Sequence, residues 1–252
     1  MRRSRFTLPV GVAIVVILVG LLIPSVRSLR GSAERMRCQG HLKQLMLSIH
    51  NNYESYFGEM PTGTLTVKGR EHRDPRGWLA ASYMQMNEHR FSDPRAFATD
   101  LNRIPLAERF SSFTCDSSRE TRAAVTNYVA LAGVGLDAAT LPAKTAGIGF
   151  MGNERSTRTI DFVDGMSNTI ALIETDLSLG PWARGGPASL RPLDPDDATP
   201  FGRDRAFGGL HSMIVNVAFA DGSVRSLRET LSPMTFAAMI TIAGGEPNPI
   251  DE

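Results

Sequence analysis

HSMIVNVAFADGSVRSL, residues 211–227 of the 252-residue chain, carries the reading of the fold. Asp221-Gly222 stands between two β-branched runs, the signature of a two-residue type I′ turn, in which both central residues need φ > 0 and glycine tolerates this freely. The spacing predicts a hairpin with Phe219 opposite Val224 and Val217 opposite Ser226. Val215, Val217, Phe219 and Val224 would then share one apolar stripe. If the first arm is extended, His211 lies ~33 Å from Asp221 at 3.3 Å per residue. A direct His–Asp couple within the hairpin is then excluded, unless the chain bends sharply around Ser212 or Met213.

The residues on either side extend this β reading. Downstream, SPMTFAAMITIAGGEPNP predicts a complete short helix, with Ser232 as N-cap, Pro233 in the first turn, Phe236, Met239 and Ile240 on one face, and Gly244 at the end. Upstream, residues 126–133, 148–151, 158–163 and 168–175 are short, β-branched and bounded by Gly or Asp, and read as strands of a mainly antiparallel sheet. Residues 177–209 hold so many breakers that they read as a long exposed loop. Residues 61–125 read as loop with short helices around Trp78 to Met86 and Pro94 to Arg103.

At the other end, residues 6–26, FTLPVGVAIVVILVGLLIPSV, contain no charge. A helix of that length spans ~31 Å, about the thickness of a bilayer's hydrocarbon core, so the segment is expected to lie in a membrane. A cleaved signal peptide is the competing reading, because Arg2, Arg3 and Arg5 precede the run; against it, the run is long and no A-x-A-like site follows. Leu42, Leu45, Met46, Ile49, Tyr53 and Tyr56 then recur on one helical face, so the helix continues beyond the span over residues 27–58. Two helices broken near Gly31 or Gly40 are the alternative. Residues 59–252 form the head. Arg27, Arg30, Arg35, Arg37 and Lys43 follow the span and outnumber the arginines before it, which by the positive-inside count alone puts the head in the cytoplasm.

Composition narrows the function. Lys and Arg number 27 against 26 Asp and Glu, so no global field recruits nucleic acid. Cys38 and Cys115 lack zinc-type spacing and allow one internal bridge or two buried thiols. GIGFMG at 147–152, with Glu174 at the offset of a ribose-binding acid, matches a dinucleotide motif in letters but lacks the strand before and the helix after it. His41, His50, His72, His89 and His211 are scattered singly. Asp161, Asp164, Asp176, Asp194, Asp196 and Asp197 do not fit a calcium loop and read as turn-forming carboxylates. Asp164-Gly165 with Ser167, Asn168 and Thr169 reads as a turn whose side chains bond its own backbone. No catalytic residue, cofactor or metal site is expected.

Several blocks, in this order, resemble the bacterial pseudopilin-like family DUF1559: CQGHLKQLMLSIHNNYESYFGEMPTG, FTCDSS, VDGMSNTIALIE, the H-X9-DG stretch from His211 to Asp221-Gly222, and the closing AGGE. The resemblance implies an α+β, pilin-like fold in which a long N-terminal helix, first transmembrane and then amphipathic, packs on an antiparallel sheet. It also implies an N-in, head-out topology in the inner membrane and a Cys38–Cys115 bridge. Its family motif residues here are His211, Asp221, Gly222, Asp164, Gly165, Ser167, Asn168 and Thr169. The prepilin-type site departs from the family pattern: Arg5 replaces the Gly before the cut, Val10 replaces the Glu at the fifth mature position, and Pro24 lies three residues closer to Phe6 than usual. Cleavage between Arg5 and Phe6, and filament assembly with it, are therefore not carried over. The expectation is a non-enzymatic anchor held by residues 6–26, displaying a head to other envelope or pseudopilin-like proteins. The rival is an anchored hydrolase or ligand-binding domain using His211 with an acid such as Asp161 or Asp164.

Overall fold

The computed structural model describes residues 7–52, 58–65, 76–86, 108–120 and 124–244. Tyr53, Tyr56, His72, His89, the Pro94–Arg103 helix, Arg5 and Phe6 lie outside them. The hairpin of the opening stretch forms from β6 (Ile214–Phe219) and β7 (Val224–Arg228), but its turn is one residue longer than expected. Phe219 N–H donates to Ser223 O and Gly222 N–H to Phe219 O. Only Gly222 takes positive φ, at 83°. This is the three-residue loop in which a type I turn is followed by a left-handed glycine. Asp221 stays in ordinary backbone space and accepts from Ser223 N–H through Oδ1, an Asx turn.

One extra loop residue moves every pair by one. Ala218 faces Val224 and Val217 faces Arg225, so Val224 leaves the stripe of Val215, Val217 and Phe219 and joins the opposite core. An alanine at 222 would meet nothing closer than Lys43 Nζ at 3.6 Å, so its cost is backbone strain alone. Gly222→Ala is therefore expected to destabilise the head by about 1–2 kcal/mol, read as a lower urea midpoint.

The sheet order is β5-β3-β4-β6-β7, with β3 (Tyr128–Val134), β4 (Ile170–Glu174) and β5 (Leu190–Leu193). All its pairings are antiparallel except β3 with β5, so the fold is α+β with an antiparallel-rich sheet. A small ladder, β1 (Thr64–Leu65) with β2 (Arg76–Gly77), stands apart and leads into α2 (Trp78–Met86).

Other sequence expectations are corrected as well. The long exposed loop at 177–209 contains β5 and buries Trp182, Leu190 and Leu193. Pro192 is tolerated there because β5 is an edge strand. Buried Arg191 ties the segment together by donating to Thr175 Oγ1 and to the carbonyls of Leu177 and Ala206, and burial pushes its pKa down to about 10. Residues 148–151 make only isolated bridges, Ile148 with Gly133 and Gly149 with Thr241. At that crossing the backbones come too close for a Cβ on Gly133, which would sit 2.8 Å from Ile148 C. Finally, residues 159–161 of the expected strand 158–163 form a 3-10 turn, and Ile160 and Val163 are exposed.

The two faces of the sheet carry separate cores. On one face Val129, Leu131, Ile173, Val217 and Phe219 meet Phe236, Met239 and Ile240 of α3 (Pro233–Ile240). Ser232 caps that helix by accepting from Thr235 N–H. The helix ends at Ile240 rather than near Gly244, because Thr241 turns extended and bridges Gly149. On the other face Tyr128, Ala130, Leu172 and Ala218 share a cluster with Cys38, Leu42, Leu45, Met46 and Ile49 of α1 (Thr7–Asn52). α1 runs unbroken over Thr7–Asn52, through Pro24, Gly31 and Gly40.

Candidate functional site

The His211 arm does bend. β6 begins only at Ile214; His211 bridges back to Ile214, and Met213 occupies the left-handed region at φ 62°. For a non-glycine residue this conformation costs of order 1–3 kcal/mol. The bend turns His211 away from Asp221 and into the sheet, where its side chain is 7% exposed. Its Nε2 lies 3.5 Å from Glu174 Oε1 and 3.7 Å from Cys115 Sγ. The acid it meets is therefore on β4, and is neither Asp161 nor Asp164.

Glu174 is reached because antiparallel register lines up side chains of one parity across neighbouring strands. Tyr128 faces Glu174, Glu174 accepts from Asn216 N–H through Oε2 and from Asn216 Nδ2 through Oε1 at 2.9 Å each, and Asn216 faces Ser226. The result is a polar row across four strands, on the face that carries the α1 residues. Gln39 of α1 donates to Asn216 Oδ1 and Ser226 Oγ, and His41 Nδ1 lies 3.2 Å from the Tyr128 hydroxyl. Cys38 is disulfide-bonded to Cys115, with Cα atoms 5.7 Å apart. Arg37 pairs with Asp116, and Ser117 donates to Glu34.

Burial sets the electrostatics. It pushes the His41 imidazole below its usual pKa. It also raises the Tyr128 hydroxyl well above its usual value, with the Glu174 and Asp116 charges adding to the effect. Glu34 is held low by the hydrogen bonds from Ser117 and Arg30. Both imidazole and phenol are thus kept in their neutral forms, suited to hydrogen bonding.

The two ends of the H-X9-DG stretch meet α1 at different heights. Lys43 Nζ donates to Gly222 O at 2.7 Å, and His50 Nε2 lies 3.0 Å from Ala220 O. The Asp164-Gly165 turn braces the same hairpin, since Asp221 N–H donates to Met166 O and Ala220 N–H to Thr169 O. Within that turn, Asn168 donates to Asp164 O and Thr169 to Gly165 O, while Asp164 Oδ2 accepts from Gly244 N–H. Ser167 is a solvent-facing turn residue. Other acids serve turns as well: Asp161 accepts from Arg158 N–H, Asp194 from Asp196 N–H and Asp197 from Thr199 N–H.

Sequence reasoning missed Glu174 as the partner of His211. The available signal was an acid closing the apolar run IALIE, where a carboxylate is costly unless hydrogen-bonded. Donor atoms of Cys38, Cys115, Glu174 and His211 all lie within 4.8 Å of one another. A surface cavity of about 820 Å³ is lined by Thr64, Leu141, Arg155 and Pro187, among others, and includes neither His211 nor Glu174. Among known proteins, a family model described as a protein of unknown function (DUF1559) matches residues 27–233, a range that contains every residue of this site. No curated protein and no solved structure matches the chain.

Proposed function

The chain belongs to the DUF1559 family, and on that premise we propose that it is a non-enzymatic, membrane-anchored, pseudopilin-like envelope protein whose head makes protein contacts outside the inner membrane. The observation that carries this reading is the two-part character of α1. Val15, Val16, Ile17, Leu18 and Val19 are consecutive, so they point all round the helix, and each is about half exposed or more. In the same helix Cys38, Leu42, Leu45, Met46 and Ile49 are wholly buried. A helix that is apolar on every side needs an apolar surrounding, and among the described residues the head buries none of these five side chains. The second half then serves as the pilin-like spine of the sheet.

Among the described residues no helix is long and apolar enough to cross a membrane. The anchor therefore rests on the uncharged run of residues 6–26 together with this exposure. The partners implied are other envelope proteins, in assemblies of the type II secretion or type IV pilus kind. A reporter active only in the periplasm, fused after Glu252, is expected to be active, and the protein to resist alkaline carbonate and yield to detergent. Complete release by carbonate would defeat the anchor. Activity only of a cytoplasmic reporter would defeat the topology. Mass spectrometry of the membrane form is expected to find residues 1–5 still attached.

A second reading, an anchored hydrolase or ligand-binding domain, draws on the meeting of His211 with an acid from another strand. Against it, the His211 and Glu174 side chains are buried and line no part of the surface cavity, so no substrate-sized molecule reaches them. A hydrolytic activity of the purified protein that His211→Ala abolishes would favour this reading.

A further inference from the structure

We infer that reduction of the Cys38–Cys115 disulfide uncovers a four-ligand site for a thiophilic divalent cation of the zinc type, built from Cys38 Sγ, Cys115 Sγ, His211 Nε2 and Glu174 Oε1. The inference goes beyond the anchor reading and does not depend on it. The two distances made by His211 carry it. At 3.5 Å from Glu174 Oε1 and 3.7 Å from Cys115 Sγ, Nε2 is too far for the ~2.7–2.9 Å of a charge-assisted hydrogen bond to a carboxylate. A tetrahedral ion with bonds of ~2.0–2.3 Å separates its ligands by ~3.3–3.8 Å, and both distances fall in that range. The two sulfurs must part, from ~2.05 Å in a disulfide to ~3.7 Å around a metal, and the four donor atoms, now all within 4.8 Å of one another, must draw in to that shell.

The surroundings suit an ion as well. Two thiolates, an imidazole and a carboxylate form a soft, four-coordinate donor set. Asn216 holds both carboxylate oxygens, its N–H on Oε2 and its Nδ2 on Oε1, while Oε1, 3.5 Å from His211 Nε2, keeps a second lone pair for the ion; these are the kind of outer bonds that orient a ligand. The strained Met213 bend is what delivers His211 to the cluster.

The step balances. A dithiol reductant gives two electrons and two protons to the disulfide, leaving two thiols here and a disulfide on the reductant. The cation then forms two metal–sulfur bonds, the two thiol protons leave to solvent, and lone pairs of His211 Nε2 and Glu174 Oε1 complete the shell. Disulfide and metal are alternative fastenings of the same helix to the same sheet face. A newly made chain that has not met an oxidant would hold α1 in place with the ion.

The test uses the full chain in detergent, reduced anaerobically with a phosphine that takes up the oxygen of water, and cobalt(II) as the probe. One equivalent is expected to bind with a thiolate-to-metal charge-transfer band and tetrahedral ligand-field bands, and zinc to displace it; the oxidised protein is expected to show neither band. His211→Ala should weaken binding by at least about tenfold. His211→Cys should restore it with a stronger charge-transfer band, which separates ligand loss from a folding defect. A reduced, folded protein without the charge-transfer band overturns the inference, as does a His211→Ala variant that binds as tightly as the parent. If reduction unfolds the head, zinc is expected to restore its circular dichroism. Failure to do so also overturns the inference.

Discussion

Replacing both Cys38 and Cys115 by alanine, with a chelator present, is expected to cost the head about 4–5 kcal/mol. The bridge spans a sequence separation of 77 residues, and for a loop of that size the chain-entropy account assigns about this much restriction of the unfolded chain. The same change releases the unfolded ensemble, so the dependence of stability on urea should steepen as well as the midpoint fall. The native contacts around the bridge, Leu42 and Leu45 against the sheet residues of their cluster, remain. The loss should therefore appear as cooperative unfolding at lower urea, not as a molten head. A loss below about 1 kcal/mol would mean that the buried face of α1 fixes the helix without help from the covalent link.

Glu174→Ala is expected to cost about 3–5 kcal/mol, because removing one member of a buried, charged hydrogen-bonded set leaves the others desolvated and unpaired. The groups stranded are Asn216 N–H and Asn216 Nδ2. Glu174→Gln is the informative companion. Its amide oxygen can still accept from Asn216 N–H, and the cost of burying a charge disappears. If the Gln variant equals or exceeds the parent in urea denaturation, the charge at position 174 is not kept for folding, and a cation-binding role gains. If Gln is as damaging as Ala, the second acceptor oxygen, which takes Asn216 Nδ2, is itself structural.

The site was only half legible in the sequence. His211 stood out by its fixed distance from Asp221-Gly222, and both cysteines were visible as a candidate pair. Glu174 was marked only as an acid closing the apolar run IALIE, and its partners, Tyr128 on one side and Asn216 on the other, come from strand pairing. The bend at Ser212 and Met213 was conceivable but unsignalled, since methionine has no preference for the left-handed region it occupies. The hairpin register was misread because Asp-Gly serves both a two-residue and a three-residue loop. The choice between them was made by the pairing of Ala218 with Val224 and by the contacts of Lys43 and His50 to Gly222 and Ala220.

What the chain settled locally were features whose cause lies within a few residues: the Ser232 cap and Pro233 start of α3, the apolar face of Leu42, Leu45, Met46 and Ile49, the helix from Trp78, and the strands around Val129 and Leu172. Each follows from periodicity or turn chemistry, which act over one or two turns of chain. Tertiary structure alone decided that β5 leaves a breaker-rich segment to pair in parallel with β3, that 148–151 crosses Gly133 without forming a strand, and that Cys38, Cys115, Glu174 and His211 converge. These depend on which distant segments exclude water together, and that long-range packing is not written in the spacing of neighbouring residues.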